Sequence, residues 1–138
     1  MKYLRSAFFV FGFLVISACS VSQDKKTAED EVQKFHSAFN AGEFHAIYSA
    51  SADELKQTEN EEDFVKLLAA LNRKLGKLEN TTQNTWHVNS QFTGTFVVLV
   101  YKSKYEHGDA NEQFTYLVKD KVAKLAGYNI NSNALITQ

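Results

Sequence analysis

The stretch that most limits what this chain can become is Gly94 to Val118, GTFVVLVYKSKYEHGDANEQFTYLV. Val, Phe, Tyr and Thr dominate Thr95 to Tyr105, and β-branched and aromatic side chains suit a pleated, half-buried surface better than a helix. Glu106 to Ala110 reads as the loop of a hairpin, with Gly108 free to take a positive φ. Phe114, Tyr116 and Val118 then alternate with polar residues on the returning strand. The first strand is uneven. Its odd face (Val97, Leu99, Tyr101, Tyr105) is mostly apolar, whereas its even face is apolar only at Phe96, Val98 and Val100 before it turns to Lys102, Lys104 and Glu106. One half of that strand is therefore expected to be covered on both sides. A single antiparallel sheet with helices on one face leaves its other face wet, so Phe96, Val98 and Val100 need a cover. A homodimer interface is the simplest one, and a cover by the C-terminal segment Ala134 to Ile136 is the alternative.

Strand periodicity extends to both sides of the hairpin. Trp86, Val88 and Phe92 share one face and His87, Asn89 and Gln91 the other, with Thr93-Gly94 as the turn. Asp120-Lys121 turns again into a last strand, Val122 to Ile130, with Tyr128 and Ile130 on one face. Upstream the period is helical. Thr27 is a plausible N-cap for a helix whose Ala28, Val32, Phe35 and Phe39 share a face, ended by Asn40-Ala41-Gly42. Phe44, Ile47 and Tyr48 begin a second short helix, and Ser51 with Glu54 resembles a capping box for a third. The clearest helix runs from Glu61 to Leu75. Thr58 or Asn60 can cap it, and Phe64, Leu67, Leu68, Leu71 and Leu75 form its stripe before Gly76. Helices first and a four-stranded meander after predict an α+β fold, with N-terminal helices packed on a curved antiparallel sheet.

The 138 residues hold no proline and no internal repeat, so one domain with its own core is expected. Without Lys2 and Arg5, the 15 basic residues fall to 13 against 16 acidic ones, a net charge of −3. That balance argues against a nucleic-acid partner, which calls for a strongly basic face. Acidic residues gather at Glu29 to Glu31 and Glu59 to Asp63, near predicted helix starts, where carboxylates complement the helix dipole.

Lys2 and Arg5 precede an apolar run from Ala7 to Val15 and then Ile16-Ser17-Ala18-Cys19. A basic start, a short apolar core and small residues before a cut are the anatomy of an export signal, too short to span a bilayer permanently. Ile16 to Cys19 resembles the bacterial lipobox, which implies that Cys19 is lipidated and becomes the first residue of the mature protein. Cys19 is also the only cysteine and so cannot form an internal disulfide. The resemblance implies several acyl chains, each buried CH₂ contributing about 0.8 kcal/mol to membrane attachment. It places the domain on the periplasmic side of a bacterial envelope. Ser20, rather than Asp, after the cysteine implies the outer membrane, by likeness to enterobacterial lipoproteins. The expected division is a signal over 1–18, a lipidated N-terminus and tether over 19–26, and one α+β domain over 27–138. The tether from Ser20 to Lys26 would reach at most about 24 Å when extended.

Phe35-His36-Ser37-Ala38-Phe39-Asn40-Ala41-Gly42-Glu43-Phe44, followed by Ile47-Tyr48, resembles the opening helices of the nuclear transport factor 2-like (cystatin-like) superfamily. Gly94-Thr95-Phe96-Val97 and Gly127-Tyr128-Asn129-Ile130 extend the resemblance, which covers Thr27 to Ile136 and points to uncharacterised small bacterial proteins of that fold. It implies a cone-shaped sheet around an interior. Enzymes of that superfamily, such as ketosteroid isomerases and dehydratases, place an acid/base group and hydrogen-bond donors inside the cone. His45, Tyr48, Trp86, Tyr101 and Tyr116 are the candidates for lining such a pocket, with Tyr128 beside them. His45 or His36 with a tyrosine would be the acid/base pair of an enzyme. Each has a blander reading: His36 at the helix boundary or surface, His87 on the polar face of its strand, His107 in a turn, and tyrosines as core residues. No HExxH, CxxC or Gly-rich phosphate loop occurs, so no metal, cofactor or nucleotide site has a motif behind it, and no residue is assigned as catalytic. A non-catalytic binding or interaction lipoprotein is therefore the leading expectation. A pocket for a small apolar ligand comes next, and an acid/base enzyme third.

Overall fold

The computed structural model describes residues 17–137, and the side chains of residues 20–136. The export-signal reading falls mostly on residues 1–16 and lies outside the described residues, and Cys19 is described by its backbone alone. Four helices come first: α1 Ser17–Ala41, α2 Phe44–Ala50, α3 Asp53–Thr58 and α4 Glu61–Leu75. Four strands follow, β1 Leu78–Gln91, β2 Gly94–Tyr105, β3 Gly108–Lys119 and β4 Val122–Asn131, and a last turn of helix, α5 Ala134–Thr137, closes the chain. The strands pair antiparallel in the order β1-β2-β3-β4, the expected meander.

The predicted apolar face of α1 is buried: Ala28, Val32, Phe35 and Phe39 are all at most 4% exposed. The predicted start of that helix is corrected. Thr27 is not an N-cap; its hydroxyl donates to the Gln23 carbonyl at 2.9 Å, within a helix already under way. Lys25 pairs with Glu29 and Lys26 with Asp30, one turn apart. These i,i+4 pairs carry the helix across the segment expected as a tether, so Ser20 to Lys26 rises only about 10 Å. His36, expected at a boundary or the surface, is 4% exposed.

Asn60 caps α4 as predicted, its side chain accepting from the Asp63 amide at 3.0 Å, an interaction worth about 1 kcal/mol. Ser51 does not cap α3, because its hydroxyl donates to the Ile47 carbonyl and Ala52 takes the cap position. Phe64, Leu68, Leu71 and Leu75 form the buried stripe of α4, while Leu67, one position off, is 43% exposed. Gly76 ends the helix at φ +75°, where a Cβ would meet Glu106 Oε2 at 2.4 Å, so glycine alone fits the corner.

Extra residues in β1, between Leu78 and Asn80 and between Gln83 and Thr85, shift its register against β2. They keep Leu78, Thr81, Gln83, Trp86 and Val88 opposite the inward residues Tyr105, Ser103, Tyr101, Leu99 and Val97. A third irregularity, at Thr115/Tyr116, bends β4 against β3. Such bulges raise the local twist and curve the sheet around its contents. Phe92 does not continue the Trp86-Val88 face: β1 stops at Gln91, and Phe92 stands fully exposed in the turn. The β2–β3 loop is also shorter than expected, since Tyr105 pairs with Gly108 and only Glu106-His107 remain between them. Phe96, Val98 and Val100 are half-buried on the outer face of β2. α5 does not cover them. It packs beside α4, where Lys74 Nζ donates to the Leu135 carbonyl at 2.9 Å.

These placements separate two substitutions three residues apart. Leu71→Asp puts a charge at a position 4% exposed and should abolish the cooperative thermal transition. Lys74→Glu loses the Leu135 contact and a dipole interaction, about 1 kcal/mol. Melting curves followed by circular dichroism check this, and equal losses from the two changes would mean that α4 faces the core differently.

Candidate functional site

The inward face of β3 alternates Ala110, Glu112, Phe114, Tyr116 and Val118, and all five are buried. Glu112 is the exception in chemistry, a carboxylate with 0% exposure. A buried charge must be paired and hydrogen-bonded or it neutralises. Here both oxygens are supplied. Oε1 accepts from the hydroxyls of Tyr105 at 2.8 Å and Tyr128 at 2.7 Å. Oε2 accepts from Ser103 Oγ at 2.5 Å and lies 2.9 Å from His36 Nε2. An ionised carboxylate offers only lone pairs, so Nε2 carries the proton and donates. Thr81 Oγ1 stands 2.9 Å from Ser103 Oγ and, since the serine hydroxyl already donates to Glu112, is the donor of the pair. His36 Nδ1, also buried, has no partner among the described residues.

Five elements meet at this carboxylate: α1 through His36, β1 through Thr81, β2 through Ser103 and Tyr105, β3 through Glu112 itself, and β4 through Tyr128. Aromatic rings wall it in. Phe114 meets the His36 ring edge-on at 5.4 Å, and Phe35 packs against Phe114 at 5.0 Å and Tyr128 at 4.9 Å. Burial by itself raises the Glu112 pKa. The bonds from His36, Ser103 and Tyr128 outweigh it and hold the group below the usual carboxylate range. Burial beside that negative charge pushes Tyr105 and Tyr128 well above the ordinary tyrosine value, so both remain donors. At neutral pH the cluster is thus an ionised carboxylate held by its own chain's hydrogens.

The residues expected to line one pocket are dispersed. His45 lies on the outside of α2, its Nδ1 2.9 Å from Glu61 Oε1 with both side chains largely in solvent. Tyr48 donates to the Glu59 carbonyl at 2.9 Å, joining α2 to the start of α4. Trp86 is half-exposed on the edge strand under the Lys25 ammonium, 5.4 Å from its ring. Only Tyr101 and Tyr116 are in the interior, on either side of Phe114 at 5.9 and 6.4 Å. Burial raises the Tyr101 pKa to about 12. Among the described residues no group of three or more His, Cys, Asp or Glu side chains could hold a metal ion, and no helix is long and apolar enough to cross a membrane.

Sequence reasoning missed Glu112 and Ser103, and it placed His36 outside. The signal was present in the period-two pattern. Counting back from Phe114 puts Glu112 inward, and Ser103 lies between inward Tyr101 and Tyr105.

The sign of the pH effect follows from the lowered Glu112 pKa. The unfolded chain protonates this group near 4.5 and the folded one only at lower pH, so its stabilisation is complete above about pH 5 and is lost as pH falls through the folded value. Tyr128→Phe removes one donor to the charge and should cost about 1.5–3 kcal/mol at pH 7. The deficit should shrink below pH 4. Urea denaturation of both proteins across pH 3–7 measures it, and a deficit independent of pH would contradict the ionised state.

A profile of the family described as "Protein of unknown function (DUF4019)" matches residues 31–128. The matched span contains His36, Thr81, Ser103, Tyr105, Glu112 and Tyr128, every member of the buried cluster. No curated protein matches the chain. With more than two thirds of its length matched, the chain belongs to the DUF4019 family.

Proposed function

We propose that this protein is a lipid-anchored domain of the bacterial envelope, facing the periplasm from the outer membrane, and that it works by binding rather than by catalysis. On this reading the signal ends at Ala18, and Cys19 carries the acyl chains. The domain belongs to the nuclear transport factor 2-like superfamily. The observation that carries the non-catalytic part is the Glu112 cluster. Among the described residues it is the one buried carboxylate in a position where an acid or base would sit, and both its oxygens already accept from side chains of the same chain. A general base needs a free lone pair within reach of a substrate proton, and Glu112 offers none. Phe35, Phe39, Phe114 and Tyr101 fill the space around it. What supports the anchor is the sequence from Lys2 to Cys19 together with the single cysteine.

The binding surface of this reading is the outer face of the sheet. Phe96, Val98 and Val100 stand there opposite Leu117, Thr115 and Gln113 of β3. A second copy of the chain is the partner proposed, since identical sheet faces pack on each other through such a patch.

Two measurements test this. Mass spectrometry of the membrane fraction should find a mature chain beginning at an acylated Cys19, and an unmodified cysteine or another N-terminus would end the anchor. Sedimentation should show a dimer that Val98→Lys dissociates without unfolding. A wild-type monomer at high concentration, or a variant that unfolds, would remove the outer face as the contact.

A further inference from the structure

Four of the buried or half-buried tyrosines differ in what their hydroxyls do. Tyr105 and Tyr128 donate to Glu112, and Tyr48 to the Glu59 carbonyl. Tyr116 is 3% exposed, and among the described residues its hydroxyl makes no hydrogen bond, while the oxygen itself still reaches accessible space. Tyr116 lines a cleft of about 180 Å³ between α1, α2 and the inner ends of β3 and β4. Phe35, Ile47 and Leu125 form its walls, and alanines at 38, 46 and 50 leave the room open. Tyr101, the other interior tyrosine, does not line it.

We propose that this cleft binds a small neutral molecule of single-ring size that carries one hydrogen-bond acceptor, with the Tyr116 hydroxyl as the donor that orients it. Size sets the first limit: an apolar cavity of about 150 Å³ takes a benzene-sized guest, and the space here is slightly larger. Charge sets the second. Glu31 and Lys34, the ionisable residues at the cleft, are paired with each other at 2.5 Å and offer no net charge to an ion. The donor sets the third. Burial, and then the nearby Glu31 carboxylate, raise the Tyr116 pKa well above its ordinary value, so the hydroxyl keeps its proton and can donate it to an acceptor in the cleft. An aryl ketone meets all three. The site rests on the reading of the domain as a binding module, but neither on the anchor nor on the outer-face patch, from which the sheet separates it.

The full chain carrying Cys19→Ser, which has no acyl chain to compete, is titrated by saturation-transfer NMR with 4′-fluoroacetophenone and with fluorobenzene. The ketone should bind roughly three- to tenfold more tightly, the contribution of one neutral hydrogen bond. Tyr116→Phe should bring the two probes within about twofold of each other by weakening the ketone alone. Ala46 is exposed, so Ala46→Leu leaves the fold intact while filling the cleft, and it should weaken both probes at least about tenfold. Ala50→Leu, exposed as well, provides the same test from the next turn of α2. No transfer to either probe would overturn the site. So would a ketone preference that survives Tyr116→Phe, or affinities unchanged in both leucine variants. Because sedimentation reads the dimer separately, a failure here leaves the outer face untouched.

Discussion

The rest of this fold depends on one ionised carboxylate with no access to water. Moving a lone carboxylate into a protein interior costs several kcal/mol, and only a full set of donors offsets that. Glu112 obtains its set from three other elements: His36 on α1, Ser103 and Tyr105 on β2, and Tyr128 on β4. Each donor is useful only if its element sits at the correct height and tilt on the sheet. The carboxylate therefore selects one arrangement of helix on sheet from the many that burying Phe35, Phe39, Phe114 and Val97 would allow. Apolar packing supplies most of the stabilisation, and the polar cluster makes it specific.

Curvature makes the cluster possible. The extra residues of β1 keep Thr81 inward, where it donates to Ser103, although the strand would otherwise have changed face. The bulge at Thr115/Tyr116 does the same for β4, so that Leu125 and Tyr128 both face the helices across an odd spacing. A flat sheet would carry Tyr128 away from Glu112. The same bend brings the ends of β3 and β4 under α2, where the alanines leave the cleft beside Tyr116.

Much of this was legible in the residues. The hairpin of β2 and β3, the apolar face of α1 and the cap at Asn60 follow from periods of two and 3.6 and from side chains with one obvious place to go. His36, Glu112 and Ser103 did not follow, for a physical reason. Polarity at an inward position argues for the surface unless partners are known, and those partners come from strands and helices up to 76 residues away. Bulges were hidden too, since Trp86, Val88 and Phe92 fit a simple alternation that the extra residues in β1 and the early turn at Phe92 interrupt. The helical course of Ser20 to Lys26 was obscured because its support is two i,i+4 ion pairs and a lysine over Trp86, not an apolar stripe.

The account turns on the charge of Glu112. It predicts that the ¹³C resonance of its side-chain carboxyl, followed by NMR in the folded protein, keeps the shift of an ionised group from pH 8 down past 4.5 and changes only below that. A midpoint above about pH 6 would contradict it. That result would mean a neutral acid holding a proton in the core, with hydrogen-bonding capacity to give, and the cluster would then have to be read as acid/base machinery.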